Sequence, residues 1–188
     1  MTDEKIKDII KSRLSEKRYQ HSLAVADEAK ILADRYGCDP DKAYTAGLLH
    51  DIMKCAPVDE QLAAVDRSGV AMTELEISAP KLYHAMAGAA YIEHELGITD
   101  REIIDAVRYH TTARAGMSTL EKVIYLADFT SADRDYDGVD EMRAAVRRTL
   151  HEAMMIALKF SISDLLGCER AVHPDTLAAY NAETFCKK

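Results

Sequence analysis

Four residues have the types and the settings that hold a metal ion: His21, His50, Asp51 and Asp128. His50 and Asp51 stand side by side in "AGLLHDIMK", residues 46–54, between Leu48, Leu49, Ile52 and Met53. An unpartnered buried carboxylate costs several kcal/mol or neutralises by shifting its pKa. Either Asp51 faces water, or something positive sits beside it. His21 shares a helical face with Val25, Ala29 and Leu32 and so points at the core; taken alone, it reads as a core histidine bonded to a carbonyl. Asp128 lies in "KVIYLADFT", a segment with little polar surface. It has three readings: a last turn bending into solvent, an ion pair with Arg134, or a metal ligand. One metal ion explains all of these sites together, where the bland readings need three separate explanations. Imidazole and carboxylate suit a borderline divalent ion such as iron, manganese, cobalt, nickel or zinc.

The elements that must position these side chains read as helices throughout. Ile6, Ile9, Ile10 and Leu14 form a helical stripe over 3–15, and Gly37 reads as the stop of a helix through "RYQHSLAVADEAKILADRYG". Asp39 and Pro40 are an N-cap and first-turn pair for a helix expected to run to about Lys54. Short helices with polar breaks fill 58–79, and a small-residue helix follows, ended by Gly97. Thr99 and Glu102 have capping-box spacing, and "STLEKVIYLADFTSA" opens another capped helix. "DRDYDG" reads as a loop, 139–168 as a long helical region broken near Ser161, and a last helix follows Pro174. No stretch alternates like a strand, and there are no repeats or linkers. The expected fold is all-α, one domain over 1–188, with the motif-bearing core at about 15–136 and C-terminal helices over 139–188.

Bulk properties narrow the function. A chain of 188 residues is long enough for one full core and short for two. Its net charge of −8 excludes a basic footprint for duplex nucleic acid, but not a phosphate-bearing ligand in a cleft whose field a metal reverses. Cys38, Cys55, Cys168 and Cys186 form no CxxC pair, which argues against a thiolate zinc site or a redox pair. The opening "MTDEKIKDII" is charged and amphipathic, unlike a signal peptide, and no apolar run approaches the ~18 residues of a membrane span. The expectation is a reduced, cytoplasmic protein with no membrane partner.

The order His, His-Asp, distant Asp resembles the HD-domain superfamily of metal-dependent phosphohydrolases. The pair alone occurs by chance, but longer stretches are more specific. "RYQHSLAVADEAKILADRYG", "KAYTAGLLHDIMK", "LYHAMAGA", "AVRYHTTARAGMSTLEKVIYLADF", "DRDYDGVDEMR" and "HPDTLAAYN" look like the YqeK family. The likeness covers nearly the whole chain. It implies an all-α HD-type helical bundle. The implied activity is symmetrical cleavage of diadenosine tetraphosphate to two ADP by a metal-bound hydroxide.

Carried over residue by residue, the resemblance makes His21, His50, Asp51 and Asp128 the metal ligands. Asp51, His84 and His110 become the catalytic group, the two histidines as second-metal ligands or phosphate contacts. The implied cofactor is one or two divalent ions, iron first, with manganese, cobalt or nickel as alternatives. The implied partner is a dinucleoside polyphosphate or ADP-like nucleotide. Many family members carry Glu-Pro-x-Arg where this chain has Ser131–Ala132–Asp133–Arg134, so any orienting role of that Glu is lost or replaced.

On the residues themselves, His84 follows Pro80 at a helix start, where free N–H groups favour an anion, or it is a surface histidine. His110 ends a helix with Ile103, Ala106 and Val107, either at the site or as a cation on the helix dipole. Lys54, Arg114 and Arg134 are the cationic candidates for a tetraphosphate, with Arg114 the weakest. Tyr136 is a candidate to stack on a base, Thr111 to offer a hydroxyl or backbone contact, and Thr176 to touch substrate from the His173–Thr176 segment, read as a pocket wall. His94 and His151 read as surface residues. Alternatives are an HD phosphohydrolase for another nucleotide and a nucleotide-binding module without turnover. Exposed apolar residues in the C-terminal helices are compatible with a homodimer.

Overall fold

The computed structural model describes residues 1–185. Cys186 and the end of the C-terminal region expected to reach 188 lie outside the described residues. Among those described there are eleven α-helices and no strand. They are α1 (Asp3–Arg13), α2 (Glu16–Tyr36), α3 (Pro40–Leu49), α4 (Val58–Arg67), α5 (Glu74–Ser78), α6 (Tyr83–His94), α7 (Arg101–Tyr109), α8 (Thr119–Thr130), α9 (Val139–Arg148), α10 (Leu150–Gly167) and α11 (Pro174–Phe185). Among the described residues no helix is long and apolar enough to cross a membrane.

Local signals explain most boundaries. Ser15 caps α2, and Gly37 at φ +74° ends it in the left-handed conformation glycine adopts without steric cost. Asp39 accepts from Asp41 and Lys42 at the start of α3. Ser118 and Glu121 form a reciprocal capping box on α8.

Three boundaries differ from the sequence expectation. Asp100, not Thr99, caps α7, because its carboxylate reaches the Glu102 N–H. The C-terminal region breaks at Thr149, not near Ser161. Thr149 is extended, and its hydroxyl accepts from Glu152 N–H to start α10. The third difference bears on the site. Helix α3 ends at Leu49, and i→i+3 bonds (Ile52 to Leu49, Lys54 to Asp51) carry the chain onward in tight turns. Lys54 is therefore not a helical turn beyond His50; it curls back beside Asp51.

Helix α2 packs along α3 and α8, and α7 lies against α3, α6 and α8. At Gly47 α3 packs tightly on α2: a Cβ there would meet the Cα of Ala26 at 2.6 Å. One continuous apolar core runs from Ile6 and Ile10 through Leu32, Leu48, Ile92 and Ile124 to Ala179. It grips α2, α3, α6, α7 and α8 at fixed separations, and the histidines and aspartates of the cluster project from these helices or from the turns after them.

Candidate metal centre

His50 and His110 are built alike. Each sits at the residue after a helix, α3 or α7, where the last carbonyls lack intrahelical partners. His50 Nδ1 lies 2.7 Å from the carbonyl of Gly47, and His110 Nδ1 lies 2.7 Å from that of Val107. A carbonyl can only accept, so Nδ1 carries the proton and the neutral ring keeps a bare lone pair on Nε2. Burial pushes His50 down to about 4, so its ring is neutral at pH 7. Its Nε2 is fully buried and has no hydrogen-bond partner. An orphaned lone pair at the centre of a polar cluster is what a metal ligand looks like without its ion.

The carboxylates close around it. Asp51, 2 % exposed, meets Arg18 Nη1 at 2.9 Å and His50 Nε2 at 3.7 Å through Oδ2. Its Oδ1 lies 3.2 Å from His84 Nε2, 3.6 Å from His110 Nε2 and 3.9 Å from Lys54 Nζ. Burial works to raise the Asp51 carboxyl, yet His50, His110, His84 and Lys54 together hold it well below the usual range. Asp128 is likewise held low against its burial, by His21, His50 and Arg134. His21 Nε2 lies 3.0 Å from Asp128 Oδ1, and Nδ1 lies 2.8 Å from Asp133 Oδ2. Three ligand groups each have atoms within 4.8 Å of one another: His21–His50–Asp51, His50–His110–Asp128 and Asp51–His84–His110. Imidazole nitrogens and ionised carboxylates so placed fit a divalent ion.

The structure thus brings His21, His50, Asp51, His84, His110 and Asp128 together with Lys54 and Arg134. Arg134 pairs with the carboxylate of Asp128 and donates to its carbonyl, so the ion-pair reading of Asp128 and the cluster coexist. Burial lowers Lys54 and pushes His84 down to about 4.

Other candidates sit differently. Arg114 is committed to Glu121 at 2.6 Å and Asp105 at 3.1 Å, which removes it as a free cation. Tyr136 packs against Phe160 and donates to the Phe129 carbonyl, so its hydroxyl is taken. Thr176 donates to the Thr112 carbonyl at 2.7 Å, a strut rather than a free hydroxyl. Thr111 Oγ1 is buried without a partner. His94 is exposed, whereas His151 is half-buried and bonded to Glu183 rather than free on the surface.

Two residues of the cluster escaped the sequence reading. Arg18 precedes His21 by three positions on the face of α2, a spacing that could have flagged it. Asp133 had no signal, because a loop residue reaches His21 across 112 positions. Near the cluster lies a cavity of about 470 Å³. Its walls include Leu82, Thr111, Leu165, Arg170, His173 and Thr176, so they reach the residue next to His110 and the residue two before His84.

A family model described as "HD domain" matches residues 18–133, a span that runs from Arg18 to Asp133. The chain belongs to the HD-domain family, and within it to the YqeK group. It is 38% identical to a protein of Bacillus subtilis named bis(5'-nucleosyl)-tetraphosphatase, symmetrical, over 92% of each chain. A Staphylococcus aureus protein of the same name is 39% identical over 96% of this chain and 95% of the relative. A crystal structure from Clostridium acetobutylicum, of a predicted HD superfamily hydrolase involved in NAD metabolism, superposes with a TM-score of 0.96 at 35% identity. That match covers 100% of this chain and 99% of the other.

Proposed function

We propose that this chain cleaves dinucleoside tetraphosphates symmetrically, diadenosine tetraphosphate to two ADP. The observation that carries the reading is the orphaned, neutral Nε2 of His50 beside the ionised Asp51. Relatives of nearly equal length that are named for this activity support it.

His21, His50, Asp51 and Asp128 would hold one divalent ion, iron in the first instance. When bound, it supplies positive charge at a phosphate oxygen and makes water a stronger acid. The remaining work falls to the protein. Arg18, Lys54 and Arg134 line the carboxylates with cations that can turn to phosphate oxygens once substrate enters. His110 Nε2, its proton fixed on Nδ1, can accept a proton from water. His84 can donate a hydrogen bond to the departing diphosphate, a leaving group good enough to need no strong acid. The neighbouring cavity, within the usual 300–1,000 Å³ of small-molecule sites, would seat a nucleoside against Thr111 and His173. A pocket holding one nucleoside diphosphate, with the attacked phosphorus next in line, leaves two identical products. Among the described residues the thiols of Cys38, Cys55 and Cys168 are free, which suits the reducing cytoplasm.

A second reading, hydrolysis of another nucleotide, draws on the Clostridium acetobutylicum structure, described as a predicted HD superfamily hydrolase involved in NAD metabolism. Incubating metal-loaded protein with diadenosine tetraphosphate and separating products by anion exchange decides between them. ADP alone supports the proposal. ATP with AMP overturns the cleavage position, and no product while NAD or another nucleotide is cleaved favours the second reading.

A further inference from the structure

The two histidines at helix ends find their Nδ1 acceptors in their own backbone, but His21 cannot. It stands six residues into α2, where every nearby carbonyl already serves the helix. Its ring must find an acceptor elsewhere. The one it finds is Asp133 Oδ2, at 2.8 Å. Asp133 is itself held in place. Its other oxygen accepts from the fully buried Ser131 at 2.7 Å. On either side of it the loop is pinned by Arg143 of α9, which donates to the carbonyls of Ser131 at 3.0 Å and Arg134 at 2.9 Å.

We infer that Asp133, seated by Ser131 and Arg143, is the positioning residue that fixes the His21 proton on Nδ1 and so frees Nε2 to bind metal. The inference rests on the metal-centre reading above. A carboxylate behind a ligating imidazole sets its tautomer, orients the ring and raises its basicity. Its absence opens a specific failure. His21 Nε2 already lies 3.0 Å from Asp128 Oδ1, so with no acceptor at Nδ1 the neutral ring keeps its proton on Nε2 and donates to Asp128. That pairing withdraws two donors from the ion at once.

The test uses the full-length protein and zinc(II) as probe. Zinc affinity is measured by competition with a chelator, and the His21 tautomer by long-range ¹H–¹⁵N spectra of the metal-free and zinc-loaded protein. Asp133→Ala should weaken zinc about 10–100-fold and move the metal-free ring to the Nε2–H form. Asp133→Asn, which keeps an acceptor but not the charge, should fall between it and wild type. Ser131→Ala, which removes only the bond to the far oxygen, should give a smaller loss of the same sign, and it keeps the test alive should Asp133→Ala fail to fold. Wild-type affinity and an unchanged tautomer in folded Asp133→Ala would overturn the inference and leave the metal centre standing. No zinc binding by the wild-type protein would overturn both.

Discussion

The Nδ1 of His50 donates to the carbonyl oxygen of Gly47 at 2.7 Å, and Gly47 is also where α3 presses against the backbone of α2 with no room for a Cβ. One residue thus sets both the tautomer of His50 and its distance from His21, whose ring centroid lies 5.3 Å from that of His50. Gly47→Ala puts a Cβ 2.6 Å from the Cα of Ala26, a backbone atom that cannot swing aside. Overpacking of this kind costs about 1–3 kcal/mol, offset by about 1 kcal/mol of helix propensity. We expect a lower urea midpoint together with weaker metal binding. An unchanged midpoint and affinity would show that the helix contact does not set the ligand spacing.

Asp51 faces His50, His84, His110, Arg18 and Lys54, and no other carboxylate reaches as many of the cluster's donors. Asp51→Ala should therefore abolish turnover and metal binding together, while the far-ultraviolet circular dichroism stays helical, since the apolar core does not depend on it. Full turnover by this variant would place the reaction elsewhere.

The metal-free protein should lose stability in a defined pH window. Burial lowers His50 and His84 to about 4, below the unfolded value of 6.5. Between those values the unfolded chain binds more protons than the folded one, so stability rises with pH. The contribution is fully present above about pH 6.5 and is lost as pH falls toward 4, on the order of 3 kcal/mol for each histidine. Asp51 and Asp128, held low, act only below the usual carboxylate range, whereas His21, raised by Asp128 and Asp133 against its burial, and Glu28, raised by burial, work in the opposite direction, so the slope reads the net of these groups. Urea midpoints from pH 7.5 to 4.5 read it. A flat profile would count against two rings kept neutral by burial.

What the chain reveals before folding follows from where each partner lies. His21, Asp51 and Asp128 stand out because a polar group on an apolar face is a local anomaly. The likeness in the surrounding stretches then adds His84 and His110. The Arg18–Asp51 and His21–Asp133 pairs join residues 33 and 112 positions apart, and no periodicity encodes such a meeting. The break at Thr149 is a different case. Thr149 and Glu152 have cap spacing, but the apolar residues on both sides read as one continuous helix. Tyr136 and Thr176 look free in a sequence because the carbonyls that occupy them, Phe129 and Thr112, show only in three dimensions.

Lys54 stands at the mouth of the cluster, 3.1 Å from His84 Nε2 and 3.9 Å from Asp51 Oδ1. A cation that meets phosphate in both the ground and transition states contributes mainly to binding. Lys54→Ala should raise KM for diadenosine tetraphosphate more than it lowers kcat. The opposite split, kcat falling with KM unmoved, would assign Lys54 to charge that develops only in the transition state.

The cavity wall is anchored from the far end of its own helix. Thr176 stands in the first turn of α11, and Glu183 near its end is buried between Lys122 of α8, which donates to Oε1, and His151 of α10, whose Nδ1 lies 2.9 Å from Oε2. Glu183→Ala leaves both partners without their acceptor, at a cost of about 1–3 kcal/mol. None of the three residues touches the histidine–aspartate cluster, so the metal should stay bound. A loosened α11 lets the His173–Thr176 wall drift from Thr112. We therefore expect a lower melting temperature and a raised KM, with kcat and metal content close to wild type. Loss of metal in this variant would mean that α11 supports the cluster itself, and an unchanged KM would remove its first turn from the substrate pocket.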